Sequence, residues 1–353
     1  MSAVVAMSGG VDSSVAAALA ADSRGAEGVL GIALRLTSTG DGKERAGRSC
    51  CAPDDLYDAR RAATQLKIRF YVFDAEERFR EQVIAPFVDS YARGETPNPC
   101  VRCNDHVKFD WLLDRAKKLG ADALMTGHYA RSEQRPDGSW QLLRARDANK
   151  DQSYFLHGLT QEALRLVRFP LGDLTKDEVR RIARDRGLPN ADKPESMEVC
   201  FVGGENLGSF LEKHGVAKAV GEIVDTQGRT VGEHAGVHNF TVGQRKGIKL
   251  SRPLPLYVAA LDASTQRVTV GTKDEVSRSA FEATLPRWTN LAPDEGSRCE
   301  VQIRHRGKPL PARVFAESGK VRVELDEPAV GVAPGQSAVF YLGDAVLGGA
   351  QIA

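Results

Sequence analysis

Val4-Val5-Ala6-Met7 runs without interruption into Ser8-Gly9-Gly10-Val11-Asp12-Ser13-Ser14, and residues 13–21 then carry a helical pattern. A short continuous apolar run reads as a buried strand. Its passage through a glycine pair into a helix is the unit from which open parallel sheets are built. Such a sheet presents the loop at its carboxyl edge, where α/β folds place ligands. The loop suits an anion: two glycines leave backbone N–H groups uncovered, Ser8 and Ser13 add hydroxyl donors, and the helix directs its positive end to the same spot. Asp12 is a candidate ligand for a Mg2+ that bridges phosphates. No lysine follows the glycines, so the pattern G-x-x-x-x-G-K-[ST] does not apply. The plainer alternative is a serine-capped turn, and the six-residue run SGGVDS in this setting argues against it.

Working outward, the first half alternates strands and helices. Strands are predicted at 29–36, 70–73 and 123–126, and helices at 54–66, 79–91 and 107–119, the last closed by Gly120. Alternation of this kind predicts a parallel sheet covered on both faces. Arg135-Pro-Asp-Gly-Ser139 marks a hairpin within 131–146. A helix over 176–186 ends at Gly187 and Pro189. Beyond about residue 221 the helical period gives way to short alternating runs (267–270, 300–303, 320–324 and 338–341), which read as small antiparallel barrels or sandwiches.

The bulk numbers set limits. At 353 residues the chain is long enough for two or three domains. Hydrophobic content of 42% with 27% charge describes a soluble globular protein. A net charge of +1 gives no hint of a nucleic-acid partner, so local clusters must carry that argument. No cationic stretch precedes a long apolar run at the N-terminus and no apolar segment approaches membrane length, so the expected location is cytoplasmic, without a membrane partner. Six cysteines are too few for a disulfide scaffold and read better as core thiols, metal ligands or catalytic groups.

Cys100 and Cys103 lie in Thr96-Pro-Asn-Pro-Cys-Val-Arg-Cys-Asn104, expected to be an ordered turn between two helices. Cys200 lies in Glu195-Ser-Met-Glu-Val-Cys-Phe201. Arg102, Lys108 and a helix starting near Asp105 would raise the thiolate population of Cys103. The bland readings are a buried thiol for Cys200 and a barrel thiol for Cys299. The C-x-x-C pair lacks the further ligands of a zinc site. Cys50 and Cys51 are adjacent, so their side chains point apart, and they receive no role.

The SGGVDS loop looks like the pyrophosphate-binding loop (PP-loop) of ATP pyrophosphatases, which join AMP to a substrate oxygen. Together with TPNPCVRCN, Ala123-Leu-Met-Thr-Gly-His-Tyr-Ala-Arg131, Lys150-Asp-Gln-Ser-Tyr-Phe-Leu156, Glu198-Val-Cys-Phe201, Phe240-Thr-Val-Gly-Gln-Arg-Lys-Gly247 and Ala333-Pro-Gly-Gln-Ser-Ala-Val-Phe340, it makes the whole chain resemble the tRNA-specific 2-thiouridylases. The resemblance implies an adenine nucleotide alpha hydrolase-like α/β domain over 1–205, a small β-containing central domain over 206–272 and a tRNA-binding antiparallel β-barrel over 273–353. It implies ATP and Mg2+ as cofactors, with ATP against Ala6, Met7, Ser8, Gly9, Gly10, Val11, Asp12, Ser13, Leu34 and Gly127. Cys103 would be the first catalytic cysteine and Cys200 the persulfide carrier, the two approaching disulfide range during the reaction. Asn98, Pro99 and Cys100 would border the target base. His128, Lys150, Asp151, Gln152, Arg304, His305 and Gln336 would touch the anticodon stem-loop of tRNA. Sulfur would come from a cysteine desulfurase or a relay protein.

Many members of that family carry aspartate where this chain has Cys100, so a carboxylate at that position cannot act here. Cys100, Cys103 and Cys200 offer the alternative of a [4Fe-4S] cluster with one iron open for sulfide, ranked below persulfide relay. Acid-free basic clusters support RNA binding: Arg245, Lys246, Lys249 and Arg252 form one, and Arg304, Arg306, Lys308 and Arg313 another. Arg144 and Arg146 flank Lys150. Three rival readings stand beside it: a small-molecule ligase of the amidating or argininosuccinate-forming kind, a nonenzymatic nucleotide-sensing RNA-binding module, and a thiouridine synthase for another tRNA position. The ligase has no use for the three thiols, and ATP consumption with a need for Cys200 separates an enzyme from the sensing module.

Overall fold

A computed structural model describes residues 2–37, 53–195, 199–250 and 253–353. Cys50, Cys51, Glu198 and Arg252 lie outside the described residues. The first sheet is built from β1 (Ser2–Ala6), β2 (Val29–Arg35), β3 (Arg69–Asp74) and β4 (Ala121–Thr126), with Val167–Arg168 at its edge. Its order is β3-β2-β1-β4 followed by the edge strand, and the pairings are parallel. β2 and β3 lie on one side of β1 and β4 on the other, so the strand order reverses at β1 and the crevice of the sheet opens at its carboxyl end. The loop 8–14 leaves from that point.

Burial explains why these residues choose these elements. Ala3, Val4 and Val5 are dry on both faces of β1, as expected of a central parallel strand. Helix α1 (Val11–Arg24) packs through Val15, Ala16, Ala17 and Ala20, small side chains that let it lie close to the sheet. Helix α2 (Pro53–Gln65) is closed by Lys67 in the left-handed region, φ 57°, with the Ile68 N–H returning to Ala63 O at 3.1 Å. Gly120, φ 75°, closes the helix that ends at Lys118, as its sequence position indicates.

The cysteine motif departs from expectation. Helix begins at Pro99, where a first-turn proline loses no hydrogen bond, and runs to Lys118 through a π-helical stretch at Asn104–Leu112. Cys100 therefore lies in the first helical turn and Cys103 at the start of the second, and not in an irregular connection. A second π-helical stretch, Arg80–Ile84, interrupts the helical segment over 76–92.

By contact density the chain forms two compact units. The first comprises Met1–Val83, Cys100–Gly204 and Asp344–Val346. It holds the parallel sheet and the expected hairpin, Arg131–Gln134 with Trp140–Leu143, against which Ala345 pairs through Leu143. The second comprises Ile84–Pro99, Glu205–Gly343 and Leu347–Ala353. Its mixed sheet has the order Tyr257–Asp262, Arg267–Gly271, Gly221–Asp225, Thr230–His234 around dry Val258, Val268 and Val270. Its antiparallel barrel closes by pairing Arg278–Trp288 with both Lys320–Ala329 and Ala345–Ile352, over a core of Val301, Val314, Val323 and Phe340. Among the described residues, no helix is long and apolar enough to cross a membrane.

Gly9 ties the fold to the loop. Its φ is 77°, and an added Cβ would lie 2.1 Å from the Asp55 carbonyl oxygen at the start of α2. Gly9→Ala is expected to destabilise by about 1–3 kcal/mol, read as a lower urea midpoint at unchanged slope. A wild-type midpoint would contradict this contact.

Candidate active site

The loop is held by its own serines. The Ser8 N–H donates to Ser13 Oγ at 3.1 Å, and the Ser13 hydroxyl donates to Gly10 O at 3.0 Å. Buried Asn190 closes it from outside, its Nδ2 donating to Gly9 O at 2.9 Å and to Ser14 Oγ at 2.8 Å. Ser8 remains exposed and Gly10 half-exposed, so the loop keeps an open face. Gly127 follows β4 beside it: an added Cβ there would stand 2.7 Å from backbone atoms of Asp12 and Ser13. Only glycine lets β4 end against α1 at that distance. Ala6 and Leu34 are half-buried at the same sheet edge, while Met7 and Val11 are core residues.

Asp12 is the most heavily bonded residue of the loop. Lys176 Nζ donates to its two carboxylate oxygens at 2.7 and 2.8 Å, and the Tyr129 hydroxyl donates at 2.9 Å. Lys176 also meets Glu195 at 2.8 Å, and Glu195 accepts from Lys150 at 2.7 and 3.0 Å. Burial alone would raise the Glu195 pKa, but the hydrogen bonds from Lys150 and Lys176 win and bring it to about 2. Burial and the Asp12 charge push the Tyr129 phenol far upward, so it stays a donor. Lys193 donates to Asp55 and Asp58 at 2.5 and 2.6 Å; burial opposes its charge, but these carboxylates raise its pKa on balance. Both oxygens of Asp12 are held by Lys176, so the carboxylate fits a Mg2+ only by giving up its lysine.

The cysteine-bearing stretches share a support. Arg102 Nε donates to Gln82 O at 2.8 Å, and Arg78 reaches His106 O at 3.2 Å and Asp110 at 2.7 Å. Phe201, next to Cys200, packs edge-on against Phe79 with centroids 5.7 Å apart. Residues 78–82 thus hold both the helix of Cys100 and Cys103 and the segment of Cys200. The helix begins at Pro99 and not near Asp105, so its N-terminus lies ahead of Cys103 and not just after it, while Arg102 holds Gln82 O through its Nε. Cys103 is buried, Cys200 half-buried and Cys100 exposed. Among the described residues, no group of three His, Cys, Asp or Glu is arranged to hold a metal ion. The three thiols as arranged do not fit an iron–sulfur cluster, and no step is derived through one.

His128 is packed by Phe109 and Phe169, with ring centroids at 5.8 and 6.3 Å, and its Nδ1 lies 2.7 Å from Thr126 Oγ1. Burial, then the Lys108 charge, hold its pKa well below 6.5, so the ring is neutral. The Asp151 carboxylate accepts from Ala145 N, Arg144 and Ser153 at 2.8–3.2 Å, and Gln152 Oε1 accepts from Tyr129 N at 3.0 Å. With Lys150 on Glu195, all three residues of this motif bind their own chain. Within the second unit, Gln336 Nε2 donates to Thr96 O at 2.7 Å, two residues before Asn98. Asn98 and His305 are half-buried, Pro99 is buried and Arg304 exposed. Lys176, Glu195, Tyr129, Asn190 and Lys193 carry no site role in the sequence reading, although Tyr129 and Glu195 fall within its motifs. Lys176 had one signal, the capping box Thr175/Glu178 that makes it the first residue of a helix.

Three domain families match in order: tRNA methyl transferase HUP domain over residues 1–204, tRNA methyl transferase PRC-barrel domain over 208–272 and Aminomethyltransferase beta-barrel domain over 278–352. A protein of Geobacter metallireducens named tRNA-specific 2-thiouridylase MnmA is 49% identical over 99% of this chain and 96% of its own. One of the same name from Acidothermus cellulolyticus is 48% identical over 100% of this chain and 98% of its own. The chain belongs to the tRNA-specific 2-thiouridylase family. As in the family's expected fold, a HUP-type parallel sheet precedes a PRC-type barrel and a closed antiparallel barrel.

A buried neutral imidazole makes stability depend on pH. Between its low folded value and the ordinary 6.5, the unfolded chain binds more protons at His128, so stability falls as pH drops through that window. His128→Gln is expected to flatten the fall. Equal pH dependence of the urea midpoints in variant and wild type would contradict a depressed imidazole.

Proposed function

We propose that this 2-thiouridylase-family chain acts on the wobble uridine of tRNA, adenylating the uracil C2 oxygen with ATP and replacing it with sulfur carried on Cys200. The observation that carries the reading is a phosphate loop and two thiol-bearing segments in one compact unit. A uracil carbonyl oxygen is a poor leaving group. Attack of that oxygen on the α-phosphorus of ATP expels pyrophosphate and turns the oxygen into part of AMP, which leaves readily. Loop residues 6–13 with Leu34 and Gly127 hold ATP, whose Mg2+ arrives on its phosphates.

Sulfur transfer follows from the thiols. A persulfide on Cys200 supplies the outer sulfur. Either Cys103 attacks the Cys200 sulfur of the persulfide, forming the Cys103–Cys200 disulfide and freeing sulfide that displaces AMP from C2, or the outer sulfur attacks C2 directly, AMP leaves, and Cys103 then attacks the Cys200 sulfur to close the disulfide and release the thiolated base. Burial of Cys103 keeps competing oxidants from it until the target base is bound. Asn98, Pro99 and Cys100 border the base. The neutral ring of His128 serves stacking or hydrogen bonding, and Lys150, Asp151, Gln152, Arg304, His305 and Gln336 serve RNA contact. A cysteine desulfurase or relay protein charges Cys200. The working layout is catalysis in 1–205, a central domain in 206–272 and a tRNA-binding barrel in 273–353.

Nucleoside mass spectrometry tests this directly. Unmodified tRNA is incubated anaerobically with protein, ATP, Mg2+, cysteine and a desulfurase. Wild type should yield 2-thiouridine only with ATP. Cys200→Ala should yield none yet still release pyrophosphate in the presence of tRNA. Loss of pyrophosphate release as well would make Cys200 structural.

A further inference from the structure

The phosphate loop lacks the lysine that other phosphate loops carry, and the fold brings one from 164 positions away. Lys176 stands first in the helix Lys176–Asp185, is only 8% exposed, and places its ammonium on Asp12 of the loop. Its other acceptor is Glu195, and Glu195 is at the same time the acceptor of Lys150. One carboxylate thus lies between two ammonium groups beside a loop built for an anion. Two oxygens bearing one negative charge, bridging two lysines, reproduce what a phosphate group would offer them.

We propose that Glu195 is a built-in stand-in for the distal phosphates of ATP, and that the triphosphate displaces it from Lys176. The inference rests on the reading that the loop binds ATP. In the resting state the network balances: Asp12 and Glu195 against Lys150 and Lys176. When the β- and γ-phosphates arrive, Lys176 keeps Asp12, exchanges Glu195 for a phosphate oxygen, and Glu195 retains Lys150. The lysine then faces the charge that grows as the bond from the α-phosphorus to the bridging oxygen breaks and the electron pair passes to pyrophosphate. No proton moves in this exchange. Asp12 remains neutralised throughout, which a carboxylate beside a triphosphate requires. A ligand without distal phosphates has nothing with which to displace Glu195, so the device selects ATP over AMP.

The two partners predict opposite signs. Binding of ATP, pyrophosphate and AMP to the full chain is measured by calorimetry for wild type, Glu195→Gln and Lys176→Gln, with thermal melts to verify folding. Glu195→Gln keeps shape and hydrogen bonding but removes the competing charge. It should tighten ATP and pyrophosphate about three- to tenfold and leave AMP unchanged. Lys176→Gln should weaken ATP and pyrophosphate about tenfold or more, again sparing AMP. Should Lys176→Gln fail to fold, Glu195→Gln alone decides. Weaker or unchanged ATP binding in Glu195→Gln, or an equal change for AMP, overturns the inference while the ATP reading stands. A wild-type protein that binds no ATP removes both.

Discussion

Asp12 sits one helical step beyond a glycine pair, and Lys176 lies on it from the start of a helix 164 residues later. The arrangement around the phosphate loop depends on that ion pair. A carboxylate at a helix start is welcome to the helix but hostile to a phosphate. Lys176 resolves the conflict by neutralising Asp12 without filling the open face of the loop. Tyr129 adds a neutral donor, and its own backbone is fixed by Gln152, so β4 and the residues after it are drawn to the same carboxylate. Lys176 is nearly dry, and burying a charged side chain is costly unless an opposite charge lies against it.

The residues leading toward Cys200 are fastened to the loop at several points. Asn190 bonds the loop backbone, Lys193 bonds two acids of α2, and Glu195 bonds the lysines. Each bond alone is modest, since a net intramolecular hydrogen bond contributes about 0.5–1.5 kcal/mol. Their value lies in geometry: they fix this stretch against the same loop that Gly9 and Gly127 shape. Farther along, the stretch is anchored again by Phe201 on Phe79, while Arg102 and Arg78 bind the cysteine helix to the neighbouring turn. The π-helical stretches at Arg80–Ile84 and Asn104–Leu112 fall in these two facing segments. Such stretches are frequent at functional sites because they re-aim side chains without ending a helix.

Much of the architecture was legible in the chain. The strand–glycine–helix unit, the period-3.6 runs and the later period-2 runs predicted a parallel α/β sheet followed by largely antiparallel β structure, and the strands and helices of the first sheet agree within a few residues except at the start of the helix expected over 107–119. The readable signals were local: Gly120 and Gly187 as helix ends, Arg135-Pro-Asp-Gly-Ser139 as a hairpin tip. Short elements escaped. The helices Gln161–Leu166 and Leu207–Lys213 are too brief for a period to show, although Thr160 and Asn206 cap them as sequence rules allow. The helix start at Pro99 is hidden in the sequence because Pro97 and Pro99 together read as a turn, whereas a proline in the first helical turn loses no hydrogen bond.

The sequence by itself determined the strand-to-loop-to-helix unit, the change from parallel to antiparallel structure, and the identity of the family, because periodicity and contiguous motifs are properties of neighbouring residues. Only the tertiary structure decided that Lys176 is the cation of the phosphate loop, that Glu195 lies between two lysines, and that Arg102 ties the cysteine helix to Gln82. Those are facts about side chains that no local pattern joins, Lys176 and Asp12 lying 164 positions apart and Lys150 and Glu195 45. A lysine in the first turn of an ordinary capped helix carries no mark of burial; its environment exists only once the sheet has brought the distant carboxylates to it.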